Sequence, residues 1–364
     1  MGLDDKSVTP RVNAHNEWDP LEEIIVGILH GGANRAWETQ YFSTSPPEFR
    51  DQALRSHAKA AGTRTAYTEG AKRQLEEFVH ILEGEGVVVR RPEPVDHARP
   101  FATQEWSVPG GMGQVVPRDF LVVIGDEIIE AAQCYRWRYF EFRGYRKLIK
   151  EYFQAGARWT AAPKPELPEE LYEDLYGQPF EPYRYATNEY EPVFDAADIM
   201  RCGRDIFIQR SHVTNESGIK WLRRHLGDTY RVHKVEFRDE RAVHIDATFS
   251  PLAPGKVLVN PDRPIRELPA VFKDAGWDFL ECPRTVDPRG GDFPGQLAWL
   301  HMNVLMLDEK RVVVERDELP LIAALRDWGF KPIPVAFREC YPFGGAFHCY
   351  TCDVRRRGTL QSYF

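Results

Sequence analysis

Apolar positions along this chain recur in one fixed order: a short apolar run, a turn, a second run, an amphipathic stretch and a third run. Phe120–Ala131 shows it first, with Phe-Leu-Val-Val-Ile, a Gly-Asp turn and Glu-Ile-Ile-Glu-Ala, which reads as a β-hairpin. The spacing then predicts a helix over Arg138–Ala155 and a strand over Arg158–Ala162. The same order returns with a hairpin at Asp198–Arg210, a helix at Glu216–Leu226 and a strand at Tyr230–Phe237. It returns again as Ala247–Asn260, Ile265–Ala275 and Trp277–Cys282, and a fourth time as Asn303–Val314, Leu319–Trp328 and Lys331–Phe337. The start of the chain offers only a strand at Leu21–Gly27, a helix at Thr68–Gly84 and a strand at Gly86–Arg90. Its end offers one strand at Tyr350–Val354.

Four ββαβ units are therefore complete, and the two termini together supply a fifth. Joining them closes a ring and pairs otherwise open sheet edges. The units share a pattern and almost no residue identity. The expected fold class is α/β, a propeller of pseudo-fivefold ββαβ units; a generic α+β protein would permit the same element order. Residues 1–13 read as a flexible leader and 14–364 as a single domain. The stretches 30–65 and 163–192 are too long for plain connections and read as surface excursions.

Composition narrows the partners. The 364 residues are 43% hydrophobic and 12% aromatic, enough for a sizeable core, and carry a net charge of −8. Interspersed charges argue against nucleic acid as a partner. The basic run Arg355–Arg357 reads as a solvated or ion-paired strand end. Six scattered cysteines, no secretory or transit-like leader and no long apolar run point to a reducing, cytoplasmic setting and no membrane partner.

Polar residues cluster just ahead of each hairpin. Asp119 precedes the first, Asp195 and Asp198 the second, His244 and Asp246 the third, and His301 and Asn303 the fourth; His348-Cys349 precedes the last strand. In a ring of such units these positions face one mouth. A thiolate is a strong nucleophile, and a histidine exchanges protons with it. Two carboxylates suit a planar guanidinium, which offers paired N–H donors. The set predicts attack by a cysteine on the central carbon of an acid-held guanidinium. In acyl transfer, the same acids would oppose the developing negative charge.

A zinc site built from Cys340, His348, Cys349 and Cys352 is the rival use of the C-terminal cysteines. Its spacing is irregular, and no metal is expected. On a strand over 347–354, Cys349 points away from His348 and Cys352, which then read as packing.

These residues sit in dense motifs: His15-Asn-Glu-Trp-Asp-Pro-Leu-Glu-Glu, Pro117-Arg-Asp, Ala162-Pro-Lys-Pro, Glu191-Pro-Val-Phe-Asp-Ala-Ala-Asp, His244-Ile-Asp-Ala-Thr-Phe, Asn260-Pro-Asp-Arg-Pro, Met302-Asn-Val-Leu and Gly345-Ala-Phe-His-Cys-Tyr-Thr-Cys-Asp-Val-Arg-Arg-Arg-Gly. From about residue 14 onward the chain resembles the arginine amidinotransferases, the family of the glycine and inosamine-phosphate amidinotransferases. The resemblance implies a five-bladed pentein propeller and ping-pong transfer of an amidino group from L-arginine to an amine acceptor, with release of L-ornithine. It implies Cys349 as the nucleophile, His244 as acid and base, and Asp195 as its partner. Asp119 is implied as the second guanidinium carboxylate, Asp246 as the contact to the α-amino group and Arg263 to the α-carboxylate. No cofactor is implied, and a homodimer is a further expectation. Glycine-type members carry Asn-x-Met before the histidine, where this chain has Arg241 and Val243, and a serine pair where it has Gln296-Leu297. These changes leave room for an acceptor larger than glycine, such as lysine. Arg241 then meets an acceptor carboxylate or is a solvent-exposed loop arginine; Gln296 joins the candidate substrate contacts. The alternative reaction is deiminase-like hydrolysis to citrulline and ammonia.

Overall fold

The computed structural model describes residues 12–34, 51, 55, 58–175, 178, 183–287 and 297–364. Each predicted unit forms a sheet in which the middle strand runs antiparallel to the first and parallel to the third. In the first unit Leu121–Ile124 pairs with Glu127–Glu130, which pairs with Arg158–Ala161 after the helix Phe142–Gln154. The second joins Ile199–Cys202, Asp205–Gln209 and Arg231–Phe237 across the helix Glu216–Leu226. The third joins Phe249–Ala253, Lys256–Val259 and Asp278–Glu281, and the fourth Leu305–Met306, Arg311–Glu315 and Lys331–Val335.

The termini meet as expected. The C-terminal strand Thr351–Arg356 lies antiparallel to Leu21–Val26, which runs parallel to Val88–Arg90. Tight turns explain the hairpins. Gly125, Gly203 and Gly255 hold φ of 63°, 70° and 78°, where a side chain is strained. The fourth turn uses an aspartate instead: Asp308 Oδ1 accepts from the backbone N–H of Lys310 and Arg311 at 2.9 and 2.8 Å. The helices bury one stripe each. Helix Glu69–Gly84 is capped by the Thr68 hydroxyl and turns Ala71, Leu75, Phe78, Val79 and Leu82 into the core.

One predicted helix is different. Ile265–Glu267 is an edge strand paired with Arg231–Phe237, and only Val271–Asp274 is helical. Pro264 and Pro269 bracket this segment, and a residue before proline is pushed out of the helical region. No helix among the described residues is long and apolar enough to cross a membrane.

The first strand of each unit is entered through a short helical turn. These turns are Pro117–Phe120, Ala196–Asp198, Ile245–Ala247, Leu297–Met302 and residues 346–350. The first four touch in sequence, each against the next, and the first also touches the C-terminal strand. The polar positions singled out in the sequence fall on or beside these turns.

Candidate active site

Three side chains from three turns converge. His244 Nε2 lies 2.9 Å from Asp195 Oδ2, and His244 Nδ1 lies 3.7 Å from Asp119 Oδ1. Asp119 and Asp195 are sealed, whereas the His244 side chain is 18% exposed. His244 reaches this place with φ at 54°, a strained value for a residue with a Cβ. Burial alone would lower the pKa of its imidazole. The Asp119 charge, the hydrogen bond to Asp195 and the more distant Asp198 outweigh that and carry it up to about 10.

The two acids are each held by one oxygen. Arg138 Nη1 donates to Asp119 Oδ2 at 2.6 Å, and Glu141 grips the rest of that guanidinium with two bonds of 2.8 Å. Burial raises the Asp119 carboxyl, an effect that His244 and Arg138 partly offset. Asp119 Oδ1 and Asp195 Oδ1 are buried and accept no hydrogen bond. Behind them, burial lifts Asp198 to about 7, although Ser211 and Thr214 both donate to it at 2.6 Å. Asp119, Asp195 and His244 bring one ligand-type atom each within 4.8 Å of one another. With the imidazole carrying its proton between two carboxylates, the trio is an acidic cradle suited to a planar organic cation.

Cys349 belongs to the same cluster. Its Sγ donates to Asp246 Oδ2 at 3.3 Å, and its backbone N–H donates to Asn303 Oδ1 at 3.0 Å. Burial, then the charges of Asp246 and Asp119, push its thiol well above the ordinary range. Gly345 makes the necessary space: a Cβ there would stand 2.5 Å from the Cys349 Cβ and 2.6 Å from Sγ.

The expected strand over 347–354 is corrected here. Residues 346–350 form a helical turn, with Tyr350 N–H to Ala346 O at 3.0 Å and Thr351 N–H to His348 O at 3.1 Å. Alternation therefore does not apply, and His348 is not packing on a far face. Its Nδ1 donates to Asp246 Oδ2 at 2.9 Å, the oxygen that also receives the Cys349 thiol, and its Nε2 lies 3.5 Å from Glu17 Oε2. Cys352 and Tyr350 do pack: Cys352 Sγ meets Leu121 O at 3.5 Å and the Tyr350 hydroxyl donates to Cys340 O at 2.7 Å.

Asp119, Asp195, His244, Asp246 and Cys349 are thus brought together from four turns, His244 and Asp246 sharing one. Arg263 lies against the Asp246 turn, with Nη1 on Thr248 Oγ1 at 2.9 Å and Nε on Asp239 Oδ2 at 3.1 Å. Arg241 is half-buried three residues before His244, and its backbone N–H donates to Asp239 Oδ1 at 2.9 Å. Gln296 lies outside the described residues. Sequence reasoning missed Arg138 and gave Asn303 no role. Asn303 stood at the position equivalent to the other site residues, which is a signal that was present; Arg138 contacts Asp119 across 19 residues through tertiary structure alone.

No family model matches the chain. It is 45% identical over 361 residues to an L-arginine:L-lysine amidinotransferase of Pseudomonas savastanoi pv. phaseolicola, spanning 98% of this chain and 97% of that one. It is also 45% identical over 370 residues to a mitochondrial glycine amidinotransferase of Danio rerio, spanning 97% and 85%. SxtG, an amidinotransferase from Microseira wollei in the saxitoxin biosynthetic pathway, matches with a TM-score of 0.91 at 50% identity, over 97% of this chain and 100% of that one. DDAH from Pseudomonas aeruginosa shares the fold alone, with a TM-score of 0.56 at 15% identity, over 92% and 99% of the two chains. The α/β fold and these likenesses define an enzyme that transfers amidino groups. The chain belongs to the amidinotransferase family. They do not support the hydrolytic alternative.

Proposed function

We propose that this enzyme moves the amidino group of L-arginine onto an amine acceptor through an amidino-Cys349 intermediate, releasing L-ornithine. The observation that carries the reading is the pair of buried carboxylate oxygens on Asp119 and Asp195 that accept no hydrogen bond, on either side of His244, in the cluster that also holds the Cys349 thiol. A guanidinium entering there gives each free oxygen an N–H donor. Its positive charge offsets the acids that hold the thiol protonated. The thiolate attacks the central carbon, the bond from that carbon to the δ-nitrogen of the departing ornithine breaks, and the His244 proton goes to that nitrogen. In the second half, His244 takes a proton from the acceptor amine as it attacks the amidino carbon. The carbon–sulfur bond then breaks and returns the thiolate.

Five sheets of one pattern, entered through turns that touch in sequence, support a five-bladed pentein arrangement of residues 14–364 as one domain. The acceptor is an amine larger than glycine, of the lysine side-chain class. Its supports are the lysine-type relative and the presence of buried Val243 and half-buried Arg241 beside the site. Incubation with arginine and no acceptor will add one amidino group to the peptide bearing Cys349, with ornithine formed in equal amount. Labelled arginine will then mark lysine more readily than glycine. Modification of Cys352 instead, or ornithine release by Cys349→Ala, refutes the mechanism; preference for glycine refutes only the acceptor.

A further inference from the structure

His244 sits at a positive φ, a strained conformation that persists only where its surroundings hold it. The segment ahead of it is held by His212, in the loop that follows strand Asp205–Gln209. The His212 backbone N–H donates to Ala242 O at 2.9 Å, and its ring Nε2 meets Glu240 O at 2.9 Å. The other ring nitrogen, Nδ1, accepts the backbone N–H of Ala186 at 3.0 Å. A carbonyl needs a donor and an N–H needs a lone pair, so this buried imidazole is neutral with its proton on Nε2. The same loop holds the partner of His244. Thr214 Oγ1 accepts the backbone N–H of Asp195 at 3.1 Å and donates to Asp198 at 2.6 Å. The Ser211 hydroxyl accepts from the backbone N–H of Val213 and Thr214 at 3.2 and 3.1 Å and also donates to Asp198, which fixes the shape of the loop. Behind it lies the segment 185–191. Arg210 stacks on the Tyr185 ring at 4.1 Å, Thr187 Oγ1 donates to His212 O at 3.1 Å, and Asn215 Nδ2 donates to Asn188 O and Glu191 O at 2.6 and 2.7 Å. One loop therefore touches both sides of the 2.9 Å contact between His244 Nε2 and Asp195 Oδ2.

We propose that the loop Ser211–Thr214 is a bracket that sets the His244–Asp195 pair, and that His212 is its positioning residue for His244. The functional consequence rests on the reading of His244 as the acid and base. Leucine at position 212 keeps the backbone bond to Ala242 but leaves Glu240 O and the Ala186 N–H without their ring partner. The loop ahead of His244 is then free to relax the strained φ, which carries the imidazole away from Asp195 and Asp119. Glutamine carries an acceptor oxygen and an N–H donor at the end of its side chain and so meets the same two backbone groups. The segment 185–191 belongs to the long stretch between the first two units. Through His212 it backs the residue that moves the proton, although none of its side chains enters the cluster of Asp119, Asp195 and His244.

The test is the NMR titration of the His244 imidazole in the full chain labelled with nitrogen-15 histidine, its signal assigned by its absence in His244→Gln. His212→Leu lowers the midpoint by about one pH unit or more, the scale on which loss of a nearby carboxylate moves a pKa. In transfer assays on folded samples it lowers kcat by about 10- to 100-fold, with a smaller change in the KM for arginine. His212→Gln keeps the midpoint and kcat near wild type. In the wild-type spectrum at neutral pH, His212 itself gives the nitrogen shifts of a neutral ring protonated on Nε2. A folded His212→Leu with either the wild-type midpoint or the wild-type kcat overturns the bracket. His212→Gln as impaired as His212→Leu overturns the hydrogen-bonding role, and a His212 ring protonated on Nδ1 overturns the tautomer that role requires. Where His212→Leu does not fold, the wild-type tautomer and the His212→Gln values decide: a wrong tautomer, or a lowered midpoint and kcat in His212→Gln, overturns the proposal. Transfer by His244→Gln at the wild-type rate would instead overturn the acid–base reading, a separate outcome that leaves the titration comparison standing.

Discussion

Replacing Gly345 by alanine tests whether the site depends on the exact place of one sulfur. Gly345 holds φ at 138°, and a Cβ there would lie 2.5 Å from the Cys349 Cβ and 2.6 Å from Sγ. Two costs follow. A non-glycine residue in this region is strained by about 1–3 kcal/mol. The overlap adds roughly 1–3 kcal/mol of overpacking, because the neighbour is the Cβ of a turn rather than the end of a long side chain. Relieving it to ordinary contact needs a shift of about 1 Å, and a misplacement of that size costs on the order of 100-fold in rate.

Gly156 provides the matched control. Its φ is 100°, and a Cβ there meets nothing within 4 Å. Gly156→Ala therefore carries the strain without the collision. Denaturant unfolding should show both variants destabilised, Gly345→Ala by more. Transfer kinetics on fully folded samples should separate them further: kcat near wild type for Gly156→Ala and about 100-fold lower for Gly345→Ala. Equal kcat in the two folded variants would show that the sulfur tolerates displacement, and the geometric account of the site would fail.

Arg138→Leu strips Asp119 of its guanidinium and leaves Glu141 beside it in the interior. Breaking one side of such a buried pair costs about 3–5 kcal/mol, read by denaturant unfolding, and the KM for arginine should rise because Asp119 is no longer aimed. A variant of wild-type stability and KM would refute this. The pH dependence of stability has a fixed sign at each end. His244 is raised in the folded protein to about 10, so its contribution is complete below its unfolded value of about 6.5 and disappears as pH climbs toward 10. Asp353 is held well below the ordinary carboxylate range: burial opposes this, and Arg201, Arg118 and Arg356 overcome it. Its contribution is present above about pH 4 and is lost only as the solution becomes strongly acid. In His244→Gln the alkaline loss should shrink while the acid limb stays; an unchanged alkaline limb would mean His244 is not protonated at neutral pH.

Local signals were legible, and tertiary ones were not. Hairpins showed because a glycine at positive φ or an aspartate cap marks a turn within a few residues. Asp119, Asp195, His244 and Cys349 showed because they stand at the same point of successive units. The helix assigned to 265–275 failed where two prolines overrode an apolar pattern. His348 failed for a different reason: the alternation argument presupposed a strand. What bends residues 346–350 into a helical turn is partly an amide from residue 303, which reaches the Cys349 N–H across the site.

That distant support explains why one segment carries both the proposed nucleophile and the strand that pairs the two termini. The turn before the last strand is held by Asn303 from the fourth unit, by Asp246 from the third and by Glu17 from the N-terminal stretch. Arg118 from the first unit adds bonds from Nε to His348 O at 3.4 Å and to Thr351 O at 3.0 Å, and its Nη2 pairs with Asp353. Asp353 also receives Arg201 from the second unit and Arg356. The strand itself pairs with Leu21–Val26, whose next residue donates from Gly27 N–H to Tyr350 O at 2.9 Å. Every unit therefore has a hand on the few residues around Cys349. A turn held from so many directions keeps its place when one contact loosens. With the turn so fixed, the charges on Asp119, Asp195 and Asp246 are left as the variable that an incoming cation can change.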